Sequence, residues 1–415
     1  MCGENKKKLK FTQPFILYFI MLTLGILVGL SNISYLQSFG LMISDIFIKI
    51  FKFISMPIIA LSIIVTLSSY ENNDVGMSRI WRRTLLYTFS TTMIAALLSC
   101  ILYIVIHPSN VNVSTENIVN VANKTTYWQH LSSLIPNNIF SPFIEHQVLS
   151  VLILGILIGI AIRYIPDNDA KIAVKNVFKG FHGIFFIITQ WVIMILPLGV
   201  FGFMTTTVLQ LRDGMNIHGI VQYLLVIIAA NLIQGFIILP AWLYYNQIKP
   251  FDTMKKMMPA LTLAFFSKSS AGTLPVTINT AEEKLKLSPK ISRFVLPLCT
   301  SLNMNGCAAF IFATVIFLMQ NHGIEITLFT MLTWVVIGTI AAIGNAGVPM
   351  GCFFLSASLL TTMDIPIVLM GVILPFYTII DMLETALNVW SDSCVAKVVA
   401  KDDLVPMPQP VLNEG

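Results

Sequence analysis

Residues 344–351 read Gly344-Asn345-Ala346-Gly347-Val348-Pro349-Met350-Gly351, in the middle of an apolar stretch near 328–361. No helix passes comfortably through such a segment, because Gly loosens the backbone and Pro removes an amide donor. A second segment, Ser267-Lys268-Ser269-Ser270-Ala271-Gly272-Thr273-Leu274-Pro275, interrupts the apolar stretch near 257–280 in the same way. Both breaks carry Ala-Gly followed shortly by Pro. Each also precedes one long apolar segment with polar interruptions, near 294–320 and 366–400.

What these breaks mean depends on the solvent, and composition decides that. Hydrophobic residues make up 56% of the 415 and charged residues 11%, with a mean hydropathy of +0.81. A soluble domain carries about 25% charged residues, so this surface cannot face water everywhere. Residues 11–44 hold no charged side chain, and about 20 apolar residues suffice to cross hydrocarbon. Lys6, Lys7, Lys8 and Lys10 precede that run as they would in a signal peptide. No small-residue cleavage site follows, and further apolar spans do, so the run (12–31) is read as a retained first helix. The further spans lie near 41–68, 84–106, 147–164, 180–208 and 217–245. At membrane depth, irregular backbone is tolerated only where it is buried in protein or lines a cavity. The two breaks are therefore read as polar tips of helix-loop-helix hairpins dipping into the membrane; ordinary Pro-kinked spans are the alternative. A repeated unit of this kind points to a transporter's binding site.

Basic residues orient the chain. Arg79, Arg82, Arg83, Arg163, Lys171, Lys175, Lys179, Lys249, Lys255, Lys256, Lys284, Lys286, Lys290, Arg293, Lys397 and Lys401 collect on the side of the N-terminus. Lys124 and Arg212 fall in the presumed outer loops, and Lys49 and Lys52 within a span. The expectation is a multi-pass protein of the plasma (inner) membrane with both termini cytoplasmic. The net charge of +5 follows from this bias and implies no nucleic-acid partner. The outer segment 108–135 is polar and carries two glycosylation-type triplets, at Asn112 and Asn123. Cys2, Cys100, Cys299, Cys307, Cys352 and Cys394 are scattered, with no CxxC and no His nearby. That argues against a metal cluster and offers no disulfide framework.

Two polar passages sit inside apolar helices. Ser301-Leu302-Asn303-Met304-Asn305-Gly306-Cys307 predicts local unwinding. Its freed carbonyls and amide oxygens would suit an alkali cation, and a Gly-Asn kink without a ligand is the plain alternative. The second passage holds Tyr377, Asp381, Glu384, Thr385, Asn388 and Asp392. On a helix these six share one stripe about 100° wide. Each carboxylate at mid-membrane costs about 2.5–3.5 kcal/mol on insertion scales, so three cost on the order of 10 kcal/mol. No Lys or Arg shares the span before Lys397. Compensation must come from bound cations, protons, a solute ammonium, or Lys268 reaching across.

In order along the chain, the Ser-rich tip ending Gly272-Thr273-Leu274-Pro275, then Asn303-Met304-Asn305-Gly306, Ala346-Gly347-Val348-Pro349 and the last-helix stripe resemble the dicarboxylate/amino acid:cation symporter family, the sodium-coupled glutamate transporter homologues. The resemblance extends over nearly the whole chain, including Pro136–Gly155 and Leu196-Pro197-Leu198-Gly199-Val200-Phe201. It implies an all-α integral membrane fold of eight transmembrane helices plus two re-entrant helical hairpins, with inverted repeats, assembled as a homotrimer. By the same resemblance, residues 1–83 and 108–208 form a scaffold (helices 1–2, then the outer loop and helices 4–5). Residues 84–107 (helix 3) and 209–402 (helix 6, hairpin 1, helix 7, hairpin 2, helix 8) form a mobile transport domain. It moves as an elevator with the second hairpin as extracellular gate, and 403–415 is a cytoplasmic tail.

The resemblance also assigns residues. Asp381 would hold a solute's α-ammonium, while Asn388, Thr385 and the backbone around Ser270 hold its carboxylate. Ser269, Cys307, Gly347, Val348 and Glu384 complete the solute site. One sodium site would use Asp392 with carbonyls of Cys299, Asn303 and Asn388. A second would use carbonyls near Ser301 and from Ala342, Ile343 and Asn345, and a third Thr91, Thr92, Asn303 and Asn305. No cofactor is implied beyond sodium as a coupled solute.

Departures are equally informative. The family's acidic-substrate members carry an Arg where this chain has Glu384, and an Asp where it has Tyr377. A carboxylate facing a carboxylate is repelled, which disfavours glutamate, aspartate and dicarboxylates. Glu384 suits a neutral polar or cationic side chain, and it could exchange a proton. In the third cation site the usual Asp is Asn305 and the usual Tyr is Thr88, so weaker sodium binding is expected there. The Thr after the Asn-Met-Asp-Gly motif is Cys307. The expectation is a cation-coupled amino-acid symporter. A proton-coupled carrier, a dicarboxylate symporter, and a transporter-like sensor or anion channel are the alternatives. No nucleophile–base pair accompanies the stripe, so an enzyme is not expected.

Overall fold

A computed structural model describes residues 4–68, 75–111, 138–144, 148–212, 217–345, 347, 349–363 and 365–403. Both glycosylation-type triplets, Pro136 and Val348 lie outside the described residues. Among the described residues every regular element is a helix and none is a strand. The fold is all-α.

The helices are α1 (Glu4–Leu30), α2 (Ser34–Ser68), α3 (Val75–Ile106), α4 (Val148–Arg163) and α5 (Asn168–Arg212). Then come α6 (Ile217–Ile233), a π-helical turn Gln234–Ile238 and α7 (Leu239–Tyr245). The remainder are α8 (Pro250–Ser267), α9 (Ser270–Glu283), α10 (Pro289–Leu302), α11 (Asn305–Asn321), α12 (Leu328–Ala342), α13 (Gly351–Thr362) and α14 (Val368–Asp403). Several run past the predicted apolar spans. α5 begins twelve residues before 180, because its polar first turns continue the helix beyond the apolar part.

Six helical stretches among the described residues are long and apolar enough to cross a membrane. Their outward faces agree with that environment. On α5, Phe181, Ile184, Ile187, Trp191 and Met194 are all exposed. A contiguous apolar surface of this kind is tolerated in lipid and not in water.

α1 and α2 pack on α5, and α2 on α4. A second group gathers around α11, which is enclosed by α3, α6, α12, α13 and α14, while α8, α9 and α10 pack on one another and on α14. The groups meet where α14 touches α5 and α13 touches α2. The enclosed helix is the one that carries the unwound Asn-Met-Asn passage: every residue from Asn305 to Met319 is buried. Its polar atoms therefore cannot turn to water and must find partners inside the protein.

The first hairpin breaks over fewer residues than its Ser-Gly-Pro composition suggests. Only Lys268 and Ser269 leave the helix, and Pro275 lies inside α9. Cap chemistry makes the turn. Lys268 adopts a left-handed conformation (φ 55°) while its N–H bonds the Ala264 carbonyl at 3.0 Å. The Ser269 hydroxyl then accepts the Gly272 N–H at 3.0 Å, capping α9. The second hairpin bends more gradually, through a 3₁₀ turn Ile343–Asn345 and two left-handed residues, Gly347 (φ 62°) and Met350 (φ 64°). The predicted unwinding near 301–307 is a two-residue interruption between α10 and α11, at Asn303 and Met304.

Candidate functional site

The two tips meet. Gly347 O accepts the Ala271 N–H and the Ser269 hydroxyl, each at 3.2 Å. A Cβ at residue 347 would stand 3.0 Å from the Thr300 carbonyl, and φ is positive, so this contact needs glycine. Ser269 and Ser270 are buried at the junction. The tips thus touch one another and the end of α10, and α14 runs alongside.

All six stripe residues of α14 are buried: Tyr377, Asp381, Glu384, Thr385, Asn388 and Asp392. Asp381 accepts the Met350 N–H at 3.1 Å, which ties the stripe to the second tip. Lys268, from the first tip, is close enough for Coulombic interaction with Asp381, and its ammonium stands 5.7 Å over the Tyr18 ring of α1. Glu384 accepts the Tyr377 hydroxyl at 3.0 Å through Oε2, and its buried Oε1 has no hydrogen-bond partner. A separation of seven residues, about two helical turns, places Tyr377 and Glu384 on the same face. The Thr385 hydroxyl bonds back to the Asp381 carbonyl at 2.7 Å. Asn388 accepts the Gly306 N–H at 2.9 Å, capping the free start of α11.

One turn further along, the stripe meets the unwound passage. Asp392 accepts Asn303 Nδ2 at 3.0 Å and the Thr300 hydroxyl at 3.4 Å. Asn303 Oδ1 accepts the Thr91 hydroxyl and Asn305 Nδ2, both at 2.9 Å. Thr92 is fully buried, with its hydroxyl unpartnered. The predicted residues Asp392, Asn303, Asn305, Thr91 and Thr92 are thus clustered around one buried network. Of the other predicted cation ligands, Cys299 offers its carbonyl to the Asn303 N–H at 2.7 Å. Ser301 lies in the last turn of α10, beside the 3₁₀ turn where Ala342 leads into Ile343 and Asn345.

Two members of this network were not singled out from the sequence. Gln234 donates to Asn305 Oδ1 at 2.9 Å and to the Thr91 carbonyl at 3.2 Å. Ser391 accepts from Asn303 at 2.9 Å and from Asn305 at 2.7 Å. Gln234 opens the π turn, a feature frequent at functional sites. The trace it leaves in the sequence is Asn231 and Gln234 spaced by three inside an otherwise apolar span. Asn231 Oδ1 and Gln234 Oε1 are buried without partners.

The cysteine expectation needs correction. Cys307 and Cys352 are joined as a disulfide across 45 residues, with Cα atoms 5.3 Å apart. No spacing rule announces it, because the two positions become neighbours only when the second tip folds onto α11. Gly306, one residue before, is also set by close packing. A Cβ there would lie 2.8 Å from Glu384 Cα and 2.9 Å from Asn231 Oδ1.

Chemically, the cluster is rich in oxygen acceptors and poor in positive charge. Asp392 and Glu384 offer carboxyl oxygens, and Asn345, Asn231, Gln234 and Thr92 offer unpartnered ones. Hard oxygen donors of this kind fit alkali cations and ammonium groups.

The sequence profile of the sodium:dicarboxylate symporter family matches residues 15–402. The chain is also similar to excitatory amino acid transporter 3 of Oryctolagus cuniculus, at 25% identity over 96% of this chain and 87% of that protein. It is 22% identical to neutral amino acid transporter B(0) of the same species, over 84% of this chain and 71% of that one. A candidate sodium-dependent excitatory amino acid transporter, glt-4 of Caenorhabditis elegans, is 25% identical over 89% of this chain and 83% of its own. Family profile, order of the two interrupted hairpins and buried carboxylate stripe agree: this chain belongs to the sodium:dicarboxylate symporter family.

Proposed function

We propose that the protein is a sodium-coupled symporter of an amino acid whose side chain is neutral or cationic rather than acidic. Glu384 carries the reading. It is buried in the stripe facing the second tip, and among the described residues no Lys or Arg bonds to it. A solute carboxylate brought there would meet like charge; a hydroxyl, amide or ammonium would meet an acceptor. The relatives' names, covering both excitatory and neutral amino acid transporters, support the solute class and leave the choice within it to such residues.

In this reading Asp381 takes the α-ammonium, and Asn388, Thr385 and the Ser269–Ser270 cap region take the α-carboxylate. Cys307 and Gly347 line the same pocket. Asp392 with Asn303 serves a sodium ion, and Thr91, Thr92 and Asn305 serve another, held there by neutral oxygens. Ser301, Ala342, Ile343 and Asn345 supply a further site. α1, α2, α4 and α5 are the scaffold, and α3 with α6–α14 the moving part, carrying the site across the plasma membrane as an elevator within a homotrimer with cytoplasmic termini.

The test is uptake of a panel of labelled amino acids into proteoliposomes, with and without a sodium gradient. A neutral or cationic amino acid should accumulate only with sodium. Preference for aspartate, glutamate or succinate would overturn the solute assignment. Uptake driven by a proton gradient alone would favour Glu384 as a proton carrier. Counterflow of trapped against external solute separates a carrier from a channel or sensor.

A further inference from the structure

Cys307 stands in the first turn of α11, just past the unwound passage, and Cys352 is the second residue of α13, directly behind the second tip. Both are buried. Asn345 Nδ2 lies 2.8 Å from the Cys307 sulfur and 3.4 Å from the Cys352 sulfur, and Asn388 Nδ2 lies 3.5 Å from that of Cys307. The ligand atoms of Cys307, Cys352 and Glu384 all fall within 4.8 Å of one another. The bridge therefore crosses the place where the stripe faces the tip. Its neighbours Asn388, Glu384 and Asn345 are residues the transport reading gives to solute and sodium.

We propose that Cys307 and Cys352 form a reversible dithiol–disulfide site inside the solute pocket, whose bridge holds the second tip closed over the stripe. The proposal rests on the transport reading above. Its first support is location: one sulfur belongs to the enclosed helix α11 and the other to the arm of the tip. Any movement that lifts the tip from α11 must separate them, and a covalent bond forbids that separation. The second support is volume: a bridge at this point occupies space beside Glu384 that a solute side chain needs.

The oxidant is a low-molecular-weight disulfide. The thiolate of one cysteine attacks it, forming a mixed disulfide and releasing one small thiol. The second cysteine's thiolate attacks the protein sulfur of that mixed disulfide and releases the other small thiol. Two cysteine thiols are oxidised, one small disulfide is reduced to two thiols, and the two protons end on those thiols. An external dithiol reverses the exchange. Because both sulfurs are buried, the oxidant reaches the thiols when the tip opens, by the route a solute would use, and the dithiol reaches the bridge through slower local openings that leave the bond intact.

The experiment uses the full chain in proteoliposomes, oxidised with dithiodipyridine and re-reduced with dithiothreitol. Unreduced mass spectrometry reports the Cys307–Cys352 link, and uptake of a labelled mixture of the twenty standard L-amino acids is measured in each state. The bridge should lower uptake by about tenfold or more, the change expected when an open state is made inaccessible, and dithiothreitol should restore it. In Cys352→Ser the oxidant should leave that variant's own uptake within about twofold, since its remaining cysteines cannot make this link. A mapped bridge with unchanged uptake overturns the proposal. So does failure of the link to form in folded protein, or equal inhibition of Cys352→Ser. If neither redox state takes up any amino acid, the transport reading fails on its own. Hydrogen exchange of residues 343–352 then decides the bridge's role: slower exchange in the bridged form supports a held tip, and equal exchange overturns it.

Discussion

Replacing Glu384 with Gln removes an ionisable carboxyl from the site and keeps its shape. The carboxylate is buried, with one oxygen on the Tyr377 hydroxyl and the other unpartnered. Glutamine still offers Tyr377 an oxygen and presents an N–H donor where the bare oxygen was. The Cys307 and Cys352 sulfurs lie within 4.8 Å of a Glu384 carboxyl oxygen, so a solute side chain in the same space comes about as close. At an effective dielectric of 20, an ionised Glu384 and a solute carboxylate about 5 Å apart repel by about 3 kcal/mol. That energy corresponds to about two orders of magnitude in affinity. The assay is the ratio of kcat/KM for aspartate against serine in proteoliposomes under a sodium gradient. The ratio should rise about a hundredfold in Glu384→Gln, with serine uptake retained. Glu384→Arg should raise it further, since a charge-assisted hydrogen bond contributes about 1.5–3 kcal/mol. A ratio unchanged within about threefold would refute the placement of Glu384 against the solute side chain, as would a wild type that already prefers aspartate.

Asp392→Asn keeps an acceptor oxygen for Asn303, replaces the oxygen facing the Thr300 hydroxyl with an N–H donor and removes the carboxylate, so half-maximal sodium should rise by about tenfold or more in uptake titrations. Gln234→Leu strips the donor from Asn305 Oδ1 and the Thr91 carbonyl, costing about 1–3 kcal/mol in thermal unfolding; an unchanged midpoint would remove Gln234 from the network. Gly306→Val forces α11 away from Glu384, costing about 1–3 kcal/mol by overpacking and weakening uptake as well. At the root of the first hairpin, hydrogen bonds from Arg293 and then Ser292 hold the Glu282 carboxyl below its ordinary value. A depressed carboxyl stabilises the fold above the ordinary carboxylate range and loses that contribution as pH falls through its lowered value. Arg293→Ala should shift this acid-side loss upward in pH, and identical acid unfolding curves would argue against the brace.

Fold class was legible because its causes are local. The uncharged run 11–44, the two Gly/Pro interruptions and the Asn-Met-Asn passage each contain their own reason for being a span, a tip or a break. Helical periodicity alone placed Tyr377, Asp381, Glu384, Thr385, Asn388 and Asp392 on one face, and all six are buried. The first tip is shorter than its composition suggests: Pro275 sits six residues into α9, inside the helix, where it supplies no amide to the carbonyl four residues back. Gln234 went unread because its importance lies in a π turn, and local helix winding leaves little trace in composition.

By itself the sequence determined the membrane as solvent and the order of interrupted and continuous helices, which follow from the chemistry of neighbouring residues along the chain; the charge reversal at Glu384 is read against the family that the motifs resemble. Only the tertiary structure decided that Cys307 and Cys352 are bonded, that Gln234 and Ser391 complete the Asn303–Asn305–Asp392 network, and that the tips meet through Gly347. These contacts join residues 45 to 88 positions apart. What brings them together is enclosure: α11 is buried throughout, so its polar start must take partners from whichever helices close around it.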